Sequence, residues 1–188
     1  MKSWRACVAG AVVGVIALAG TASASVGAKS KPVSTAKYAK TVCGVYGSVT
    51  AKVNTFIDSY NQDTSSTDPE EFQGQVVDLT ETLLDDVLSA QTKLKKVRPD
   101  LDDGKKISKL FVTGLKTVHS EVSDALESFR AADATGVAFQ ADISAFEVAI
   151  NLLDLKRTDP FSELNDQDLL QAFDDEKSCK DVVTIFGT

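Results

Sequence analysis

Apolar residues return at every third or fourth position over long stretches of this chain, the spacing of one stripe on an α-helix. The first run carries Val42, Val45, Tyr46, Val49, Val53, Phe56, Ile57 and Tyr60 and stops at "NQDTSSTD". The second opens on Asp68-Pro69-Glu70-Glu71, in which Asp68 can cap, Pro69 suits a first helical turn and Glu71 stands at the third position of a capping box. Phe72, Val76, Leu79, Leu83, Val87, Ala90, Leu94 and Val97 then share a face until Pro99 breaks the run. A third run, from about Asp100, turns Ile107, Phe111, Leu115, Val118, Val122, Ala125 and Phe129 inward and closes at "AADATG"; a fourth carries Phe139, Ile143, Phe146, Ile150 and Leu153. After the corner "RTDPFSEL", where Asp159 and Pro160 restart the chain, a short helix around Asp166 to Asp175 buries Leu169, Leu170 and Phe173. Ser178 is placed to cap one last turn bearing Cys179, Val182, Val183 and Phe186.

Strands have almost no support in this pattern, and no internal repeat is evident. Four amphipathic helices with short connections pack as antiparallel neighbours around one core. The pattern therefore predicts an all-α fold, an up-and-down four-helix bundle over residues 34–188 with a short C-terminal helical appendage.

The start of the chain reads differently. "MKSWRACVAGAVVGVIALAGTASAS" sets Lys2 and Arg5 before an uncharged run of small and apolar residues that ends in Ala22-Ser23-Ala24. That order of a basic region, an apolar region and an A-x-A site predicts a signal peptide over residues 1–24. The run from Ala6 to Ala28 lacks charge and is long enough to span a bilayer, but its Ala/Gly-rich composition and the placed Ala-x-Ala favour cleavage. A lipoprotein acceptor cysteine would follow the apolar region, whereas Cys7 precedes it. Residues 25–33, "SVGAKSKPV", are expected to form a flexible leader.

Cleavage removes Cys7 and leaves an even pair, Cys43 and Cys179, in a chain bound for an oxidising compartment. A structural disulfide between them ties the appendage to the first helix. Neither cysteine belongs to a Cys-x-x-Cys pair, the usual setting of a redox-active thiol. A zinc site needs about four ligands, and the two cysteines with His119, the lone histidine, fall short of that number.

Charge changes the picture next. Loss of Lys2 and Arg5 takes the formal net charge from −7 to −9, which favours solubility and argues against nonspecific nucleic-acid binding. The distribution is uneven: from Ser25 to Ile57, Lys29, Lys31, Lys37, Lys40 and Lys52 meet no acid, and the chain from Glu121 onward is strongly acidic. Between them, "KLKKVRPDLDDGKKISK" sets Lys93, Lys95, Lys96, Arg98, Lys105, Lys106 and Lys109 against Asp100, Asp102 and Asp103. Helix-dipole compensation explains such a cluster if the bases end one helix and the acids begin the next. The alternative is a basic tip that contacts an anionic envelope polymer, a lipid headgroup or an acidic protein.

Sites for chemistry are sparse. His119 lies at the edge of the third stripe without the partners a general base or haem ligand requires. "DLDDGKKISKLF" fails as a calcium loop, because Gly104 falls fifth and Phe111 twelfth where glycine is wanted sixth and glutamate twelfth. Asp85 with Asp86, and Asp174 with Asp175, are sequence neighbours that diverge around a helix and lack the Glu-x-x-His spacing of di-iron bundles. No cofactor is implied. The nine phenylalanines could line a lipid cavity, yet at helical spacing they read first as core.

In "KYAKTVCGVYGSV", "DPFSEL" and "LLQAFDDEKSCKDV" the chain resembles a loosely defined group of small exported helical proteins of high-GC Gram-positive bacteria. The resemblance implies the helical fold, the extracytoplasmic compartment and the Cys43 to Cys179 link, and it implies no activity. The expected function is a noncatalytic interaction module of the cell envelope or extracellular space. The alternative is a carrier or scavenger of a lipophilic ligand held between helices.

Overall fold

A computed structural model describes residues 29–63, 68–151, 160–180 and 182. The expected signal peptide, residues 1–24, and Leu153, Asp159, Val183 and Phe186 lie outside the described residues. The elements are β1 (Lys31–Val33), α1 (Thr35–Asp63), α2 (Pro69–Leu94), β2 (Val97–Pro99), α3 (Gly104–Arg130), α4 (Phe139–Asn151) and α5 (Gln167–Asp175), followed by a 3-10 turn at Lys177–Cys179.

The fold is the expected all-α bundle. α1, α2 and α3 run alternately up and down: Tyr60 near the end of α1 meets Phe72 near the start of α2, and Gln73 reaches the end of α3. At the other end Ser108, early in α3, donates to the carbonyl of Val97 just beyond α2. The predicted stripes are the buried ones, with Val42, Val49, Val76, Val87, Leu94, Phe111, Leu115 and Val122 all nearly inaccessible. Ile57 departs from the expectation at 39% exposed, and Tyr38 and Ala39 extend the α1 stripe one turn earlier.

Caps fix where the helices begin. Asp68 accepts from the N–H groups of Glu70 and Glu71 at 3.0 and 3.2 Å, and Asp166 accepts from Leu169 N–H at 2.8 Å. The final turn is capped by Glu176 rather than by Ser178: its carboxylate accepts from both the N–H and the hydroxyl of Ser178, at 3.2 and 2.9 Å. A side chain two residues upstream reaches those donors without a full helical turn, which suits a 3-10 geometry.

Two features differ from the pattern's expectation. The first is a parallel two-stranded pairing of β1 with β2, registering Lys31 with Val97 and Val33 with Pro99. Lys31 N–H donates to Lys96 O at 2.9 Å, and Asp100 N–H donates to Val33 O at 2.8 Å. Regular structure thus enters the segment 25–33 expected as a flexible leader. Strands of three residues are too short to show a period of two. Pro32 and Pro99 lack the N–H a central strand needs but are tolerated in an edge pairing.

The second concerns where the C-terminal appendage packs. The described part of α4, 13 residues, spans about 20 Å against about 40 Å for α3 and lies along the later part of α3. The C-terminal appendage packs against the earlier part. Phe161 and Phe173 pack with Phe111 of α3 at ring distances of 5.1 and 5.7 Å, and Phe161 also meets Tyr46 of α1. The aromatics therefore form two clusters, one at each end. The second gathers Phe56, Tyr60, Phe72, Phe129, Phe139 and Phe146.

Cys43 and Cys179 form the disulfide, with Cα atoms 4.9 Å apart and both residues buried. It closes a sequence separation of 136 residues, for which chain entropy alone gives on the order of 5 kcal/mol as an upper figure. A structural disulfide of this kind belongs to an oxidising, extracytoplasmic environment. Among the described residues, no helix is long and apolar enough to cross a membrane.

Candidate functional site

The parallel strand pair decides what stands at one end of the molecule. It fastens Lys29 and Lys31 beside the turn that carries Lys95 and Lys96, and α1 starts there with Lys37 and Lys40. The disulfide draws Lys177 and Lys180 to the same end, since Cys179 lies against the Ala39 carbonyl. The seven bases of the 93–109 segment thus belong to a larger basic end built from four stretches of chain. The sequence carried a signal for Lys29, Lys31, Lys37 and Lys40, the acid-free run up to Ile57, and none for Lys177 and Lys180, which lie in its acidic part. The short strand pairing that brings them together left none.

The seven do not act as one patch. Lys93, Lys95, Lys96, Lys105, Lys106 and Lys109 are exposed, and Arg98 is half-buried in β2. Lys93 borders a cleft of about 270 Å³ between α1 and α2. Lys106 and Lys109 border a different cleft, also about 270 Å³, between α3 and the residues 163–165, where Asp103 and Glu163 offset their charge. Lys52–Asp86 and Arg130–Glu81 are ion pairs within 4 Å, and among the described residues none of the seven is so paired.

Position relative to the helix dipoles sorts these charges. Lys93, Lys95 and Lys96 sit at the C-terminus of α2, and Asp102 and Asp103 immediately precede α3, all of which the dipoles favour. Lys37 lies in the first turn of α1, and Lys105 and Lys106 lie in the first turn of α3. A base there faces the positive end of the dipole. Neither first turn holds an acid, and Asp103 makes no side-chain cap to α3. Dipole compensation therefore accounts for Lys93, Lys95 and Lys96, is opposed at Lys105 and Lys106, and does not bear on Arg98 or Lys109.

The end is stiff. Ser108 ties α3 to β2 with a 3.0 Å hydrogen bond, and Gly104 lies so close to Pro99 that a Cβ would overlap its carbonyl oxygen. Glu176 contributes a negative charge nearby. Its carboxyl is held below the usual range first by the Ser178 N–H, then by the Ser178 hydroxyl, with a smaller contribution from Lys40.

The opposite end is acidic. Glu121, Asp124 and Asp142 rim a cleft of about 470 Å³ between α3 and α4, floored by Phe129 and Phe146. A smaller one of about 200 Å³ opens between α1 and α4 at Tyr60 and Glu147. His119 is half-buried on α3 and lines neither cleft. Among the described residues no group of three or more His, Cys, Asp or Glu side chains is placed to hold a metal ion.

No protein-family model matches the chain, and no curated protein or solved structure matches it either.

Proposed function

We propose that this is a noncatalytic, exported interaction module of the cell envelope or extracellular space, which engages an anionic partner through its basic end. Lys37, Lys105 and Lys106 carry the reading. Each occupies a helix position where positive charge lowers stability, and a partner that supplies negative charge there explains what helix stability does not. The buried disulfide and the resemblance to exported helical proteins support the compartment. Binding of an anionic polymer that weakens steeply with added salt is expected, because exposed charges are screened within about 10 Å at 0.1 M salt. Changing Lys93, Lys95, Lys96, Arg98, Lys105, Lys106 and Lys109 to Gln should abolish it; salt-insensitive binding that survives the change would remove the reading.

The second reading, a carrier of a lipophilic ligand, has one observation in its favour: the Phe129 and Phe146 floor of the α3–α4 cleft. Its three rim carboxylates would restrict that cargo to a cationic amphiphile. Native mass spectrometry of the secreted protein tests this, and a clean unliganded mass counts against it.

A further inference from the structure

We propose that the α1–α2 cleft is a binding track for an extended anionic polyol chain, one that bears negative charges at intervals with free hydroxyls between them. The proposal rests on the reading of the basic end just given and names its ligand. Lys40, Gly44, Ser48 and Lys52 recur every four residues along one row of α1, all within the cleft, and span about 18 Å. α2 runs antiparallel across from them and contributes Asp86, Ser89 and Lys93. Lys52 is held by Asp86 at 3.3 Å, which closes the far end of the track. Lys40 and Lys93 then face the cleft, whose lining holds no second acid; Glu176 acts on Lys40 from outside it, and Lys93 joins the track to the basic end.

Two observations independent of charge point to a ligand. Gly44 lies in the interior of a 29-residue helix, where glycine is destabilising relative to alanine, and no atom comes within 4 Å of where its Cβ would stand. Packing therefore does not require a glycine here; at Gly47 Val182 lies 3.6 Å from that point, an ordinary contact distance. Gly74 is equally open but borders none of the four clefts. At Gly44 the missing side chain leaves a floor on which a chain can approach the helix backbone. The second observation concerns the hydroxyls. Thr41, Thr55, Thr82 and Thr92 each bond back to the carbonyl four residues earlier. Among the described residues, Ser48 and Ser89 make no such bond and are left to donate into the cleft. Ammonium groups with free hydroxyls and a bare backbone suit a ligand that is both charged and hydroxylated. A groove that follows the helix axes for about 18 Å suits a linear chain better than a flat lipid surface, which would meet only the end.

The test measures affinity of the intact secreted protein for a glycerol phosphate oligomer, for inorganic polyphosphate of similar length and for phosphatidylglycerol vesicles. Gly44→Leu should weaken oligomer binding about tenfold while raising the melting temperature, because leucine is a strong helix former; a folding defect would lower both. Ser48→Ala with Ser89→Ala should weaken the oligomer and spare polyphosphate. Vesicle binding, if the end alone makes it, should be the same in wild type and Gly44→Leu. If Gly44→Leu binds the oligomer like wild type while the seven-Gln variant does not, the track is wrong and the basic end stands. If wild type binds vesicles only, the track is likewise wrong. If the serine variant binds both polymers like wild type, recognition of a polyol is lost. If wild type binds none of the three probes, the track and the reading of the end fail together.

Discussion

At the scale of single residues, the basic end depends on one position that the hydrophobic pattern treats as neutral. Gly104 opens α3 hard against Pro99, and any Cβ there would meet the Pro99 carbonyl oxygen, a backbone atom that cannot swing aside. Gly104→Ala should therefore force α3 and β2 apart and cost about 1–3 kcal/mol, the range for overpacking a tight site. Urea denaturation of the variant measures this, and an unchanged midpoint would show that the contact relaxes freely. The sequence marked Gly104 only as a failed calcium loop, because a close backbone approach between segments leaves no periodic trace. Cys43 and Cys179, by contrast, were legible at once, since compartment and parity leave two thiols one partner each.

At the scale of elements, the helices were readable wherever a stripe ran for three turns or more, as in α1, α2 and α3. What escaped the reading was short: β1 and β2, at three residues each, and the Glu176 cap of the final turn, which was expected from Ser178. These set which charges share the basic end, so the composition of the candidate site was less legible than the fold. Lys105 and Lys106 show the consequence. Within one 17-residue stretch the bases looked alike, and only the observed start of α3 at Gly104 separates those its dipole opposes from those the α2 terminus favours. Lys105→Glu with Lys106→Glu should thus stabilise the protein, by about 0.3–1 kcal/mol for each site at low ionic strength, while it reduces polyanion binding. The gain should shrink in high salt. Opposite signs for stability and binding would mark the pair as functional; a loss of both would mean the lysines support the fold.

At the scale of the whole molecule, the two aromatic clusters place one strongly perturbed tyrosine at each pole. Burial pushes the Tyr38 hydroxyl well above its ordinary range at the basic end. At the acidic end, burial does the same to Tyr60, reinforced by its 3.0 Å hydrogen bond to Glu147 and by that carboxylate's charge. In the unfolded chain both tyrosines lose their protons near pH ~10, whereas the folded protein retains them. Above that pH the unfolded state binds fewer protons than the native one, so stability is fully present below pH ~10 and falls as pH rises beyond it. Because α1 and α3 run through both clusters, proton loss at either pole should unfold the bundle as one unit. Near-ultraviolet tyrosine dichroism and the far-ultraviolet helix signal should then disappear together on raising the pH. Tyr38→Phe with Tyr60→Phe should retain more of its stability between about pH 10 and 11 than wild type does. If the helix signal outlasts the tyrosine signal, the poles melt separately and the bundle is two cooperative halves joined by long helices. An unchanged decline in the double variant would assign the alkaline loss to other groups.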